Sequence, residues 1–385
     1  MLSTPTPRLP QGASRLTLAA YADGILGWNR AILGQAITLI ESNRPDHQRM
    51  AQELLDRLLP HTGGSIRVGL TGVPGAGKST LIEALGCSLT AEGHRIAVLA
   101  IDPSSVRSGG SLLGDKTRML RLSADPNAFI RPSPSGLMLG GVARKTRETM
   151  LLCEAAGFDV VLIETVGVGQ SEASVASMTD FLLVLMVAGA GDELQGIKRG
   201  LLELADMIAI TKADGDNVDR AKLAASKYTV AMRFLRGGDE PPVVSCSALD
   251  GSGIDEIWRS IVERTRERKR SGALEAQRSA QAATWMRSLV DEQIRETLQQ
   301  TEEIRRVAED AERDVRSGAL SPELGARAIV RALRSSATSG SGRAEEPASC
   351  AEAASDDGGI ALKRSLRKAG CQNGIRANED TCARR

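Results

Sequence analysis

The chain has 385 residues, of which 42% are hydrophobic and 25% are charged, and its 49 Lys and Arg residues nearly balance 48 Asp and Glu residues. This composition is typical of a globular protein with one or two domains and excludes collagenous and wholly disordered chains. The formal net charge of +1 provides no general attraction for nucleic acid. The longest apolar run, Phe181 to Ala190, is well short of the roughly 20 residues that cross a bilayer. We therefore expect neither nucleic acid nor a membrane as a partner.

The six cysteines indicate a reducing environment. They form no CxxC motif, and none has a histidine at the spacing of metal ligands. Several of them lie within apolar segments that look like parts of a core. The cytoplasm is the location that this pattern predicts.

A helical extension is predicted over residues 1–60. Apolar residues recur at helical spacing from Leu16 to Leu59, and Pro45 and Asp46 mark an interruption. From His61 onward, short β-rich apolar runs alternate with longer segments of helical periodicity. The predicted strands are Ile66–Leu70, Ile96–Ile101, Val160–Ile163, Phe181–Val187, Met207–Ile210 and Val243–Ser245. This alternation predicts an α/β domain over residues 61–265, with a doubly wound, mainly parallel sheet.

The C-terminal third is predicted to be helical and highly charged. Gly253 to Lys269 and Ala273 to Arg316 have helical periodicity, with a narrow apolar stripe that includes Met286, Val290 and Ile294. Such a stripe needs a partner, either the protein's own core or a second subunit. We assign residues 266–335 to a helical extension. Residues 336–385 contain few large apolar side chains, which favours a disordered tail.

The strongest functional signal is a complete GxxxxGK[ST] motif between the first predicted strand and a predicted helix. Glycines in such a loop let backbone N–H groups converge on phosphate oxygens, and the helix N-terminus adds positive potential. The lysine neutralises phosphate charge, and the serine hydroxyl is a ligand for Mg²⁺. The predicted phosphate-binding residues are Gly72, Val73, Pro74, Gly75, Ala76, Gly77, Lys78, Ser79 and Thr80.

Two later segments indicate that the base is guanine. Thr211, Lys212 and Asp214 form a [NT]KxD motif after a predicted strand, in which the carboxylate would accept hydrogen bonds from guanine N1 and N2. The segment SCSAL follows the next strand, and its residues Ser247, Ala248 and Leu249 are predicted to approach guanine O6. Adenine lacks the donor pair that the aspartate requires, so GTP and GDP are the expected nucleotides.

Carboxylates near the phosphate loop are predicted to surround Mg²⁺. Asp102 and Glu164 each follow a predicted strand at the carboxyl edge of the sheet, where ligands bind in open α/β sheets. Asp115 lies in a second Gly/Ser-rich loop, although a helix N-cap is an alternative role for it. Ser79, Asp102, Asp115 and Glu164 are the predicted metal ligands. We expect Lys78, Asp115 and Glu164 to be the catalytic residues, and Gln170 is a further candidate for orienting water.

Seven segments together resemble one family, the MeaB/ArgK type of P-loop GTPase, which acts as a chaperone of adenosylcobalamin-dependent methylmalonyl-CoA mutase. They are GVPGAGKST, IDPSS, GSLLGDKTRM, ETVGVGQSE, GDELQGIKRG, TKAD and SCSAL. The resemblance extends over roughly Leu16 to Ala332. Thr211 stands where many G proteins have Asn, so Lys212 and Asp214 are the safer base-reading assignments.

The resemblance implies a homodimer held by the C-terminal helical extension. It also implies slow intrinsic GTP hydrolysis that an adenosylcobalamin-dependent acyl-CoA mutase accelerates, with the nucleotide state gating cofactor delivery and removal. The glycine-rich segment from Gly189 to Gly200, which contains Lys198, would then relay mutase binding to the nucleotide.

Three other functions remain open on the sequence alone. A nickel-insertion metallochaperone has a related GTPase core, but it needs a His-rich or Cys-rich tract that this chain lacks. A kinase of the lysine/arginine/ornithine transport type would transfer the γ-phosphate to a substrate other than water. A purely structural dimer would bind nucleotide without appreciable hydrolysis.

Overall fold

A computed structural model describes residues 16–102, 118–134, 139–165, 171–188, 199–237 and 240–340. The strands are β1 (Ile66–Gly72), β2 (Ile96–Asp102), β3 (Ala128–Pro134), β4 (Val160–Thr165), β5 (Phe181–Val187), β6 (Met207–Thr211) and β7 (Val243–Ser245). They form a seven-stranded sheet in the order β3-β2-β4-β1-β5-β6-β7, and every pair of neighbours is parallel. The predicted fold class is therefore confirmed.

The helices of the first compact unit, which extends to Thr297, pack around this sheet. They are α1 (Leu18–Leu26), α2 (Arg30–Glu41), α3 (Pro45–Leu58), α4 (Lys78–Ala91), α5 (Leu120–Ala124), α6 (Leu139–Ala155), α7 (Ser171–Ala176), α8 (Arg199–Leu204), α9 (Val218–Arg236), α10 (Ile254–Arg270) and α11 (Ala273–Gln300). Helix α11 ends just beyond this unit.

Two apolar cores lie on the two faces of the sheet because successive strand side chains alternate between the faces. Leu99 and Ile163 belong to the core that also includes Leu33 and Leu54 from the N-terminal helices. Val98 and Leu162, one residue earlier in the same strands, belong to the other core, together with Leu81 of α4 and Ile257 of α10. Each face is thus covered by helices, as in a doubly wound sheet.

Strand β3 was not predicted from the sequence. It contains Pro132 and Pro134, and proline disfavours a strand because it cannot donate a ladder hydrogen bond. Among the described strands, β3 pairs with β2 alone and forms one edge of the sheet. An edge strand tolerates proline.

The N-terminal helices begin and end at local signals. Trp28 has a positive φ of 64° after α1, and the side chain of Asn29 then accepts hydrogen bonds from the N–H groups of Ala31 and Ile32 to cap α2. Pro45 was predicted as an interruption and is the first residue of α3, a position where its missing N–H costs nothing.

A polar clasp joins α10 and α11 to the amino ends of the strands. The carboxylate of Asp180, directly before β5, binds both Nε and Nη2 of Arg278 at 2.8 and 2.6 Å. The same Arg278 donates to the carbonyls of Gly63 and Ser65 at 2.6 and 2.7 Å. Arg268 of α10 donates to the Asp180 carbonyl at 2.7 Å. This clasp lies at the opposite edge of the sheet from the end of β1.

Helix α11 is also attached beside α7. Gln281 donates to the carbonyls of Ala176 and Thr179, and Arg147 donates to Ser177 at 2.6 Å. Burial, with the nearby charge of Arg67 adding to it, lowers the pKa of the Arg147 guanidinium to about 10, so it remains charged at neutral pH. Its guanidinium lies 4.9 Å from the centre of the Trp285 ring.

Beyond these attachments the apolar stripe of α11 faces solvent. Met286, Val290 and Ile294 are all exposed. The protein's own core therefore does not cover these three residues, whereas Ala311, further along the predicted stripe, is buried.

The second compact unit begins at Leu298 and contains α12 (Glu302–Ser317) and α13 (Pro322–Gly340). The helix predicted to continue to Arg316 is interrupted at Thr301, which precedes α12. Gly318 ends α12 in the left-handed conformation, and α13 continues past Ser335 to Gly340. Within the described ranges, no helix has both the length and the apolar character that a membrane span requires.

Candidate functional site

The phosphate loop connects β1 to α4 and depends on glycine at several positions. Gly75 and Gly77 have φ angles of 78° and 80°, in the left-handed region that other residues seldom adopt. At Gly72 the constraint is space as well, since a Cβ there would lie 2.1 Å from the carbonyl oxygen of Leu185 on β5. The close pairing of β1 and β5 therefore sets where the loop begins.

Lys78 opens α4 and is buried against the loop. Its Nζ donates to the carbonyl oxygens of Gly72 and Val73 at 3.0 and 3.2 Å. The ammonium group thus lies inside the loop, where the sequence predicts phosphate oxygens.

Ser79 and Glu164 meet at the end of the loop. Ser79 Oγ donates to Glu164 Oε1 at 2.8 Å, and the Glu164 carboxyl is buried near the end of β4. Strand β2 ends at Asp102 beside β4, since Ile101 pairs with Thr165. The predicted metal ligands Ser79, Glu164 and the backbone of Asp102 therefore lie at one edge of the sheet. Asp115, Gln170 and Lys198 lie outside the described residues.

A buried pair of threonine hydroxyls lies next to this site, and the sequence analysis did not predict it. Thr165, the last residue of β4, donates from Oγ1 to Thr71 Oγ1 at 2.9 Å, and both residues are almost wholly buried. Thr71 immediately precedes the phosphate loop, and Thr165 immediately precedes residues 166–170. No sequence motif signals this contact, because each threonine is an ordinary strand residue on its own.

The guanine motif follows β6. Thr211 ends the strand, and Lys212 has a positive φ of 57°, which is uncommon for a residue other than glycine and points to a functional constraint on this turn. The turn is held by Asn217, whose Nδ2 donates to the Lys212 carbonyl at 2.6 Å.

The SCSAL segment lies against the same turn. Ser247 Oγ donates to Asp214 Oδ2 at 2.6 Å and accepts from the N–H groups of Leu249 and Asp250 at 3.2 and 3.4 Å. Cys246 bonds through its backbone to Ile210 and Ala213. Burial raises the pKa of its thiol to about 12, so this cysteine is a packing residue and not a nucleophile.

Thr211 joins the two halves of the site. Its hydroxyl lies 2.7 Å from the carbonyl oxygen of Ala76 in the phosphate loop and 3.0 Å from that of Met186 on β5. The structure therefore brings together the phosphate loop, the Ser79–Glu164 pair and the Asp214–Ser247 pair at the carboxyl edge of the sheet. Ala248 and the exposed Leu249 follow Ser247 at the outer end of this arrangement.

Comparisons with known proteins show which proteins this chain is similar to. Residues 33–303 match the family model described as methylmalonyl-CoA mutase-associated GTPase MeaB. A probable GTPase of Mycobacterium tuberculosis is 50% identical over 317 residues, which cover 82% of this chain and 94% of the relative. GTPase ArgK of Escherichia coli is 48% identical over 316 residues, covering 81% of this chain and 96% of that protein.

The chain is also similar to a mammalian protein and to a protein of known structure. The mouse mitochondrial protein named methylmalonic aciduria type A homolog is 47% identical over 325 residues, which cover 81% of this chain and 78% of that protein. The crystal structure of a protein named LAO/AO transport system kinase matches with a TM-score of 0.66 and 40% identity, over 85% of this chain and 100% of that one.

Proposed function

The chain belongs to the MeaB family of methylmalonyl-CoA mutase-associated GTPases, and we propose that it hydrolyses GTP to GDP and phosphate as a chaperone of an adenosylcobalamin-dependent acyl-CoA mutase. Methylmalonyl-CoA mutase is the proposed client. In this function the nucleotide state gates cofactor loading, and the protein protects or reactivates the mutase. The observation that carries the proposal is the Thr211–Ala76 hydrogen bond, which joins a phosphate loop to a guanine motif within one site.

On the phosphate side, we assign binding to the loop from Gly72 to Thr80. The left-handed conformations of Gly75 and Gly77 support this role, because they produce the turn that a phosphate cradle needs. Lys78, already inside the loop, would exchange its two carbonyl partners for phosphate oxygens. Neutralisation of developing phosphate charge is the largest contribution that such a site makes to phosphoryl transfer.

A magnesium ion fits the oxygen donors at this edge. Ser79 and Glu164 bring a hydroxyl and a buried carboxylate to within 2.8 Å of each other, and Mg²⁺ prefers oxygen ligands of this type. We propose that Ser79 and Glu164 hold the ion together with Asp102 and Asp115. The bound ion would supply neutralisation of phosphate charge. Glu164 and Asp115 are also the residues to which we assign orientation of the attacking water.

On the base side, we assign guanine recognition to Asp214, with Lys212 packing on the ring. The Ser247 hydroxyl supports this role because it orients the Asp214 carboxylate through its Oδ2 atom. The Ser247 hydroxyl oxygen also accepts hydrogen bonds from two backbone N–H groups, and these contacts hold the Ser247 side chain in place. A carboxylate prepared in this way loses little conformational entropy on binding guanine.

The partner and the assembly are also parts of the proposal. The name of the mouse relative refers to methylmalonic aciduria, and the family description refers to the mutase itself. We propose that the protein forms a homodimer through the exposed stripe of Met286, Val290 and Ile294, since a stripe that the protein's own core does not cover favours a second subunit. A cytoplasmic location is proposed from the cysteine pattern.

The solved relative is named a kinase, which gives the kinase alternative a specific basis. The two functions differ in the acceptor of the γ-phosphate, which is water for a GTPase and a substrate group for a kinase. The test is turnover of γ-labelled GTP by the purified protein, with and without methylmalonyl-CoA mutase, and with Lys78→Ala as the inactive control. Release of inorganic phosphate that the mutase accelerates is the expected result. Label transferred to a protein or small molecule, or no acceleration by the mutase, would contradict the proposal.

A further inference from the structure

Helix α9 carries an exposed apolar ridge that the proposed nucleotide site does not use. Leu223, Val230 and Phe234 are 59%, 49% and 87% exposed. Their spacing of seven and then four residues places them along one line of the helix. The opposite side of α9 already buries Ala221, Tyr228 and Met232 against the domain. The ridge is therefore not needed to attach α9, and a partner has access to it.

Cations accompany the ridge. Lys227 lies along the same line of the helix, and Arg220 and Lys222 are exposed nearby. None of these three forms an ion pair with another described residue, whereas Arg233 is paired with Glu240 at 3.1 Å. Asp219 is the acidic residue in the first turn of the helix. The charge that the described residues place next to the apolar side chains is therefore mainly positive, which suits an acidic surface.

The form of the ridge indicates the shape of its partner. Phe234 lies eleven positions after Leu223, which is about 16 Å along a helix and about three turns. A narrow line of apolar residues spaced by seven and four positions is what another helix packs against, with its own apolar residues at similar spacing. A second copy of α9 is disfavoured, because a symmetric contact would bring the cations of both copies together.

Both ends of α9 are tied to parts of the molecule that concern the nucleotide. The helix begins after the guanine motif and a short 3-10 turn, Gly215–Asn217, in which Asn217 donates to the Lys212 carbonyl at 2.6 Å. Near its other end, Arg236 Nη2 donates to the carbonyls of Glu203 and Ala205, the latter at 2.8 Å. These carbonyls lie at the end of α8, which begins directly after residues 189–198. A ligand on the ridge would thus contact an element that spans from the base site to α8.

We propose that the ridge of Leu223, Val230 and Phe234 is a docking surface for the partner mutase, which binds it with an acidic amphipathic helix. The inference rests on the proposed function, because the mutase is the partner named there. It adds the place and the chemistry of the contact. An activator must bind two states of the enzyme with different affinities. Helix α9 is a suitable place for such a contact because it connects the base site to α8.

The experiment uses the full chain and a purified adenosylcobalamin-dependent methylmalonyl-CoA mutase. The test variants are the double variant Leu223→Ser/Phe234→Ser and the single variant Lys227→Glu. Their matched controls are Leu26→Ser, an exposed leucine on α1, and Lys269→Glu, an exposed lysine on α10. Mutase affinity, mutase-stimulated GTP hydrolysis, intrinsic hydrolysis, native mass and melting temperature are measured for each protein.

We expect the double variant to bind the mutase at least about tenfold more weakly, with intrinsic hydrolysis and melting temperature close to those of the unmodified protein. Lys227→Glu should also weaken binding, and added salt should weaken the unmodified complex more than this variant. The controls should bind normally. If both ridge variants bind and respond to the mutase as the unmodified protein does, the docking proposal is wrong and the proposed function stands.

Two further outcomes also overturn the docking proposal. A ridge variant whose native mass falls without the mutase would make the ridge a contact between two copies of this chain. A mutase that neither binds nor stimulates the unmodified protein would contradict the proposed function and, with it, this inference. Hydrogen exchange provides a direct readout, since mutase binding should slow exchange in Val218–Arg236 and not in α1.

Discussion

The hydroxyl of Thr211 donates a hydrogen bond to the carbonyl oxygen of Ala76, 2.7 Å away, and this contact joins the guanine motif to the phosphate loop. The residue is buried at the end of β6, and the Met186 carbonyl of β5 lies within 3.0 Å of the same oxygen. Where many G proteins use an asparagine amide, this chain uses a β-branched residue that also suits the last position of a strand.

Replacing Thr211 by Val removes the hydroxyl and keeps the shape of the side chain. We expect Thr211→Val to lower the free energy of unfolding by about 1–3 kcal/mol, because a buried carbonyl loses its donor. GTP affinity should fall as well, since the phosphate loop loses its connection to the base site. Thr211→Ser keeps the hydroxyl and is the control. Denaturant unfolding and GTP titration check the prediction, and a valine variant equal to the serine variant in both would contradict it.

Asp214→Asn tests the assignment of the base. An uncharged amide replaces the carboxylate that we propose accepts hydrogen bonds from guanine N1 and N2, and each such hydrogen bond to a charged acceptor contributes about 1.5–3 kcal/mol. We expect GTP binding to weaken and preference to shift toward xanthine nucleotides. Asp216→Asn, an exposed neighbour in the same turn, should bind GTP normally. Equal affinities of the unmodified protein for ATP and GTP would rule out the guanine assignment.

The sequence was sufficient for those parts of the fold that follow local rules. Phe181–Val187 and Val243–Ser245 were predicted with the bounds that the structure has, because the first is a continuous apolar run and the second begins with two β-branched residues. The phosphate loop and the guanine motif were recognisable because all their residues are adjacent in the chain. Strand β1 extends two residues further than predicted, since Gly72 belongs both to the strand and to the loop.

What the sequence did not reveal depends on residues far apart in the chain. The Thr71–Thr165 hydroxyl pair joins two strands that are neighbours only in the folded sheet. The clasp between Asp180 and Arg278 likewise joins the start of β5 to α11. Asp180 does not signal its partner in the sequence, because an isolated Asp before a strand is also a common turn residue.

The Ser79–Glu164 contact predicts how the nucleotide affinity responds to magnesium. Both oxygens are proposed metal ligands, so Ser79→Ala and Glu164→Gln should each reduce the gain in GTP affinity that Mg²⁺ provides. Ser88→Ala, on the same helix as Ser79, should leave that gain unchanged. Titration of GTP with and without Mg²⁺ is the measurement. A full magnesium effect in both site variants would remove the pair from the proposed metal site.

The last prediction concerns the clasp that holds α11 to the sheet. The side chain of Asp180 is only 1% exposed, and its carboxylate binds Arg278 through two hydrogen bonds while accepting from the Arg67 N–H at 2.9 Å. Removing one member of a buried pair leaves an uncompensated charge, which typically costs about 3–5 kcal/mol. We therefore expect Arg278→Ala to lower the free energy of unfolding by about that amount. Arg287→Ala, exposed on the same helix, should change it by less than about 0.5 kcal/mol.

A double-mutant cycle separates the pair from the other contacts of Arg278. Asp180→Ala combined with Arg278→Ala should cost less than the sum of the two single variants, because the second change no longer strands a buried charge. The carbonyls of Gly63 and Ser65 lose their donor in both the single and the double variant, so their effect cancels in the cycle. Additive losses would show that Arg278 stabilises α11 through those carbonyls and not through Asp180.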